Sequence, residues 1–134
     1  PNQSGVERGY FPEAMVHEVH DVLSQELARW GAHLDGYYFC PHSPEADCNC
    51  RKPRPGMILR AAQEMNIDLA QSFMIGDRYL DVAVGHAAGT KSVLVRTGDG
   101  AGELDKHRDN PNQPEFVADN LLLAVEAIIS GKVK

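Results

Sequence analysis

The chain has 134 residues, of which 43% are hydrophobic and 24% are charged, and its formal net charge is −6. These values are typical of a folded globular domain and exclude a disordered chain. The acidic balance argues against a general nucleic-acid binder, which usually carries a basic surface. No apolar run is long enough to cross a bilayer and no signal-like segment opens the sequence, so we expect a cytoplasmic location.

Helical and extended patterns alternate along the chain. Pro12 begins a helix whose apolar residues recur at helical spacing as far as Trp30, which is expected in the core. Residues 37–39 predict a short strand, and residues 40–55 a loop. The later predicted elements are a helix from Gly56 to Asn66, strands at 72–75 and 92–95, a helix at 79–88, a loop at 97–115, a strand at 116–117 and a final helix at 121–129. This alternation predicts one α/β domain over residues 1–134 with a mainly parallel sheet.

Three cysteines and one histidine lie within eleven residues of one another, at Cys40, His42, Cys48 and Cys50. A tightly spaced, odd set of cysteines favours a metal site over a disulfide framework. Together the four side chains fit a tetrahedral Cys₃His zinc site with no open position, so zinc is expected to be structural. It would order a loop, residues 40–50, that has little apolar surface of its own to bury. The alternative is three unrelated thiols and a surface histidine.

Two carboxylates follow the second predicted strand. Asp77 comes directly after it, and Asp81 lies one helical turn further along the chain. Ligands bind at the carboxyl ends of parallel strands, and hard oxygen ligands suit Mg²⁺. The alternative makes Asp77 a helix N-cap and Asp81 a solvated first-turn acid.

Basic and glycine-rich runs offer two further candidates. Arg51 and Lys52 directly follow the cysteines and could grip a phosphate, Arg51 with its fork and Lys52 as a point charge. The alternative is a solvated basic patch. The run from Gly98 to Gly102 follows a strand but no apolar helix is predicted after it, which excludes a dinucleotide-binding loop.

In this order the motifs resemble those of one family. They are Asn2-Gln3-Ser4-Gly5, Asp35-Gly36-Tyr37-Tyr38, Cys40-Pro41-His42, Cys48-Asn49-Cys50-Arg51-Lys52-Pro53, Pro55-Gly56-Met57 and Gly76-Asp77. The sequence resembles the D-glycero-D-manno-heptose 1,7-bisphosphate 7-phosphatases, which are zinc-containing members of the haloacid dehalogenase superfamily related to histidinol-phosphate phosphatases. The resemblance implies a Rossmann-like parallel sheet and a cytoplasmic, monomeric enzyme of envelope-sugar synthesis, acting on a sugar phosphate and not on nucleic acid or membrane.

The resemblance also implies roles for individual residues. An aspartate attacks the phosphate and forms an aspartyl-phosphate, which water hydrolyses with Mg²⁺ present. Asp77 would be a Mg²⁺ ligand with Asp81 in support, and Lys52 would stabilise the transferring phosphoryl group. Cys40, His42, Cys48 and Cys50 would bind zinc. The residues expected to contact substrate are Asn2, Gln3, Ser4, Arg51, Lys52 and Arg78.

The family pattern is incomplete in this sequence. Its Asp-x-Asp nucleophile motif, on the first strand, does not occur among the 134 residues, and Pro1 stands where the family usually has Thr or Ser. We therefore expect an N-terminally incomplete sheet that lacks the first strands and is inactive alone. The alternatives are a phosphatase for histidinol phosphate or another small phosphomonoester, and a non-catalytic, zinc-stabilised phosphate-binding module.

Overall fold

The computed structural model describes residues 1–134 throughout and contains five α-helices and three β-strands. The helices are α1 (Glu13–Arg29), α2 (Gly56–Met65), α3 (Tyr79–Ala88), α4 (Gly100–Lys106) and α5 (Leu121–Ile129). The strands are β1 (Phe73–Gly76), β2 (Lys91–Val95) and β3 (Phe116–Ala118). Residues 1–51 and 52–134 form two compact units. None of the helices has the length and apolar character needed to cross a bilayer.

The second unit is built on a parallel three-stranded sheet in the order β1-β2-β3. Ile75 pairs with Val93, and Val93 pairs in turn with Phe116. The central strand β2 is almost fully buried, as its continuous apolar sequence predicts for a strand covered on both faces. The predicted α/β class with a parallel sheet is therefore confirmed.

The helices of this unit begin and end at capping residues. The Asn120 side chain accepts a hydrogen bond from Leu123 N (3.0 Å) and begins α5. Asn66 and Gly89 adopt left-handed conformations and end α2 and α3. Because these signals are local in sequence, the predicted bounds of α2, α3 and α5 agree with the structure to within one residue.

The first unit contains α1 and the loops on either side of it. The helix begins after Pro12 as predicted, ends one residue before Trp30, and has Val16 as its only buried residue. Trp30 is 87% exposed, so the prediction of a core tryptophan is wrong. Apolar residues earlier on the same stripe are exposed too, with Met15 46%, Val19 60% and Val22 58% exposed, so this face of α1 does not pack into a core.

The strand predicted at residues 37–39 is also absent. In that region only Cys40 pairs with another extended residue, Asn2, in an isolated parallel bridge. The aromatic side chains instead pack on histidines of α1, with Tyr37 stacked on His20 at 4.6 Å and the Phe39 ring 5.4 Å from that of His17. Side-chain packing on a helix therefore explains the aromatic run that we interpreted as a strand.

A helix, α4, occupies part of the predicted loop at 97–115. Its two glycines disfavour a helix by intrinsic propensity. Tertiary contacts override this preference, because Leu104 packs against a buried cluster that includes Leu94, and the Glu103 carboxylate accepts a hydrogen bond from Tyr79 N (3.0 Å).

A partly buried ion pair joins α3 to the segment before β3. His86 Nε2 lies 3.0 Å from Glu115 Oε2, and His86 Nδ1 is hydrogen-bonded to Asn112. Burial opposes the charge on both partners, but their hydrogen bonds raise the pKa of His86 and lower the pKa of Glu115. Glu115 also accepts a hydrogen bond from Ser92 N (2.6 Å), which ties the pair to β2.

These shifts predict a pH-dependent stability. The His86 contribution is complete below its unfolded-state pKa and is lost as pH rises through the raised folded-state pKa. The Glu115 contribution is present above its unfolded-state pKa and is lost as pH falls through the lowered one. In urea unfolding, the unfolding free energy of the unaltered chain should exceed that of His86→Gln by on the order of 1 kcal/mol between about pH 4.5 and 6.5. At pH 8 the difference should be smaller. A difference that grows above pH 7 would contradict this assignment.

Candidate functional site

The four predicted zinc ligands lie together in the first unit. The thiol of Cys40 is 3.4 Å from that of Cys48 and 3.0 Å from that of Cys50, and His42 Nδ1 is 3.2 Å from Cys50 Sγ. All four donor atoms lie within 4.8 Å of one another. Zn–S bonds of about 2.3 Å in a tetrahedron give sulfur spacings of about 3.8 Å, so this donor set fits a zinc ion.

The acidity of the thiols favours a cation among them. Burial opposes ionisation of Cys48, but hydrogen bonds from Cys40 and Cys50 lower its pKa to about 6. Burial, together with the neighbouring thiols, raises the pKa of Cys50 to about 12. The first thiolate therefore forms easily and the next one only at high cost, and a divalent cation removes that cost.

The N-terminal loop is hydrogen-bonded to this cluster through the backbone. Gln3 N donates to Cys40 O (2.7 Å), and Cys40 N donates to Pro1 O (2.8 Å). Asn2 and Ser4 lie beside these contacts and are half-buried. The predicted substrate residues 2–4 are thus held by the backbone of a predicted zinc ligand.

Arg51 directly follows Cys50, the last residue of the Cys/His cluster. Its Nη1 donates to His42 O (3.4 Å), and the side chain is half-buried. This contact fixes the guanidinium relative to the Cys/His cluster and leaves most of its five N–H donors for other groups.

At the carboxyl end of β1, Asp77 is half-buried and precedes α3. Arg78, not Asp77, is the N-cap residue of that helix, so the N-cap alternative for Asp77 is wrong. Asp77 Oδ2 accepts a hydrogen bond from Asp99 N (3.0 Å). The Oδ1 atom makes no hydrogen bond within the protein, and a carboxylate with one available oxygen fits a Mg²⁺ ligand.

The burial of Asp81 excludes one of the two interpretations of the sequence. It is only 5% exposed, so it is not a solvated first-turn acid. Its Oδ1 forms an ion pair with Lys52 Nζ, and its Oδ2 accepts a hydrogen bond from Arg78 N (3.2 Å). A Cβ at Gly76 would overlap the Asp81 side chain, so glycine is needed for this close approach. Both oxygens of Asp81 are therefore engaged within the protein, one by Lys52 and the other by Arg78 N.

Arg78 forms an ion pair that the sequence analysis did not predict. Its guanidinium forms an ion pair with Asp99, with Nε 2.9 Å from Oδ2, and both side chains are more than half exposed. This pair raises the pKa of Arg78 further above its usual range. The sequence gives only a weak signal for this ion pair, because Asp99 lies 21 residues from Arg78 and follows a different strand.

Comparisons with known proteins find relatives of this chain. A sequence model of HAD-like hydrolases matches residues 49–124. The D-glycero-beta-D-manno-heptose-1,7-bisphosphate 7-phosphatase of Pasteurella multocida is 45% identical over 116 residues, 81% of this chain and 63% of that protein. The protein of the same name from Yersinia pestis is 48% identical over 106 residues, 72% of this chain and 56% of that protein.

A solved structure is also similar. It is the D,D-heptose 1,7-bisphosphate phosphatase from B. bronchiseptica, complexed with magnesium and phosphate. The two superpose with a TM-score of 0.88 at 35% identity, over 97% of this chain and 72% of that chain.

The chain therefore belongs to the haloacid dehalogenase-like hydrolases and, within them, to the D-glycero-D-manno-heptose 1,7-bisphosphate 7-phosphatase family. It spans 63% and 56% of the length of the two curated relatives described above.

Proposed function

We propose that this chain is part of a Mg²⁺-dependent phosphatase that removes the 7-phosphate of D-glycero-D-manno-heptose 1,7-bisphosphate. The observation that carries the proposal is the arrangement at the carboxyl end of β1. There the Asp77 carboxylate has an available oxygen, and the Lys52 ammonium is held by Asp81 in the first turn of α3. This is the end of a parallel sheet at which ligands bind. Two curated relatives with this activity in their names are 45% and 48% identical to the chain.

The proposed reaction proceeds through a covalent intermediate. An aspartate attacks the phosphorus of the 7-phosphate, the P–O7 bond breaks, and heptose 1-phosphate leaves with a proton on O7 from the acid/base residue of the same Asp-x-Asp motif. Water then hydrolyses the aspartyl-phosphate to aspartate and inorganic phosphate. No Asp-x-Asp motif occurs among these 134 residues, so the nucleophile in this proposal is a residue outside them. Bound Mg²⁺ would supply positive charge to the phosphate, with Asp77 as one ligand. Lys52 would stabilise the charge of the transferring phosphoryl group.

Substrate recognition is assigned to four polar positions and two arginines. Asn2, Gln3 and Ser4 would contact the substrate, alongside Lys52. Arg51 would bind the second phosphate or the sugar hydroxyls, because its planar fork matches phosphate oxygens. Arg78 would make a further substrate contact, in exchange with its ion pair to Asp99.

The zinc site is assigned a structural role. Cys40, His42, Cys48 and Cys50 would fill all four positions of the ion, leaving none for water or substrate. Zinc would order the loop that carries Arg51 and take no part in the reaction.

We further propose a cytoplasmic, monomeric protein whose partner is a small sugar phosphate, with no nucleic-acid or membrane partner. The acidic net charge of −6 and the polar, cationic side chains assigned to the substrate support this setting.

A substrate comparison tests the proposed function. The chain, joined to the Asp-x-Asp strand of a family member, should release phosphate from heptose 1,7-bisphosphate with a higher kcat/KM than from histidinol phosphate. Arg51→Ala should lower kcat/KM for the bisphosphate by about tenfold or more, since a charge-assisted hydrogen bond contributes about 1.5–3 kcal/mol.

The same substitution should change kcat/KM for histidinol phosphate much less. Arg60→Ala removes an exposed charge elsewhere and should alter neither value. A preference for histidinol phosphate, or equal losses for both substrates in Arg51→Ala, would contradict the assignment to a bisphosphate.

A further inference from the structure

The segment that follows β2 contacts three consecutive residues that follow β1. Asp99 N donates to Asp77 Oδ2 (3.0 Å). The Asp99 carboxylate accepts from Arg78 Nε (2.9 Å), and Glu103 Oε2 accepts from Tyr79 N (3.0 Å). Two residues of the second segment, Asp99 and Glu103, thus contact three residues of the first, and one of the contacted groups is the carboxylate assigned to Mg²⁺.

Gly98 makes the contact with Asp77 possible. Its φ is +62°, a left-handed conformation that glycine adopts without strain. A Cβ at this position would overlap Asp77 Oδ2. Gly76 pairs with Leu94 in the sheet, so the two strands end side by side and bring their following residues into reach.

The segment is anchored in the core. Leu104, one residue after Glu103, packs against the buried cluster of Tyr79, Val82 and Leu94. This anchor ties α4 to the core, and Asp99, the N-cap of α4, is itself exposed.

We propose that Gly98 and Asp99 are positioning residues for Asp77: they hold one oxygen of its carboxylate and leave the other for the cation. The inference rests on the proposed Mg²⁺ role of Asp77. A carboxylate can rotate about its last side-chain bond, and a hydrogen bond to one oxygen removes that freedom before the cation binds. Loss of such an outer-shell partner costs metal affinity of roughly 10- to 100-fold.

The test compares two glycine substitutions of similar chemistry. Gly98→Ala introduces the overlap with Asp77, whereas at Gly102, in the same segment, a Cβ meets nothing within 4 Å. Mn²⁺ serves as a paramagnetic probe for Mg²⁺, because it takes the same oxygen ligands and broadens NMR signals even where binding is weak. Signals around Asp77 should broaden in the unaltered chain and in Gly102→Ala at the same Mn²⁺ concentration. Gly98→Ala should need roughly 10- to 100-fold more Mn²⁺.

Asp99→Asn separates the two contacts of that residue. It removes the ion pair with Arg78 but keeps the backbone amide, so Mn²⁺ affinity should stay close to that of the unaltered chain. Equal Mn²⁺ affinity in Gly98→Ala and Gly102→Ala would overturn this inference but not the proposed Mg²⁺ role of Asp77. Absence of any Mn²⁺ effect near Asp77 in the unaltered chain would also contradict the Mg²⁺ role on which the inference rests.

A second measurement keeps the inference testable if Gly98→Ala does not fold. The Asp99 amide of the unaltered chain should exchange with solvent at least tenfold more slowly than a free amide of the same sequence. Exchange at the free rate would show that the hydrogen bond to Asp77 is not maintained, and the inference would be wrong.

Discussion

Removing zinc from the Cys40, His42, Cys48 and Cys50 cluster should unfold residues 40–55 and release the N-terminal loop. Structural zinc sites bind with about 10–16 kcal/mol in finger peptides, and that binding energy is folding energy. The loop contains no helix or strand beyond a short 3₁₀ turn at Pro44–Ala46. Without the ion, nothing of comparable strength holds three thiols and an imidazole together.

Amide hydrogen exchange before and after chelation measures this effect. Exchange should accelerate across residues 40–55 and at Gln3, whose N–H is bonded to Cys40 O. Residues 73–76 and 91–95 of the sheet should change far less. Cys48→Ser should reproduce the result, while Asn49→Ala, a substitution of an exposed neighbour, should not. A metal-free protein with an ordered loop and three freely reacting thiols would contradict the zinc assignment.

Removing Lys52 should cost the second unit about 3 kcal/mol of unfolding free energy, because it leaves the Asp81 carboxylate buried without its counter-charge. The side chain of Asp81 is 7% exposed and that of Lys52 is 20% exposed. Lys52→Met keeps much of the aliphatic stem, so the loss should come from the charge and not from a cavity. Urea unfolding provides the measurement.

Two further variants isolate the ion pair. Lys52→Met with Asp81→Asn should recover most of the loss, because the buried charge is then gone and Asn still accepts the hydrogen bond of Arg78 N. Arg60→Met breaks an exposed pair with Glu64 and should cost less than about 1 kcal/mol. A Lys52→Met variant as stable as Arg60→Met would show that the Lys52–Asp81 contact carries little energy.

Much of the fold could be predicted from local signals. The bounds of α3 and α5 are as predicted, since Gly89 ends the first and Asn120 begins the second. That Cys40, His42, Cys48 and Cys50 come together could also be predicted, because their residue types and their spacing within eleven residues define a metal donor set.

The errors arise where tertiary contacts decide the structure. The helix α4 depends on Leu104 and Glu103 reaching residues on another element, which no local pattern of its glycine-rich sequence shows. Pairing of Lys52 with Asp81 likewise joins residues 29 positions apart. Periodicity placed Trp30 on the apolar stripe of α1, but that stripe is itself exposed at Met15, Val19 and Val22.

The central claim is that Asp77 and Lys52 belong to a Mg²⁺-dependent phosphatase site, and phosphate release from heptose 1,7-bisphosphate tests it most directly. The assay compares the 134-residue chain with the same chain joined to an Asp-x-Asp strand, at equal Mg²⁺ concentration. The joined chain should release the 7-phosphate, lose turnover in Asp77→Asn and Lys52→Met, and require Mg²⁺, whereas the 134 residues alone should show no turnover. Comparable turnover by the 134 residues alone, or full activity of the joined chain without Asp77, would contradict the assignment.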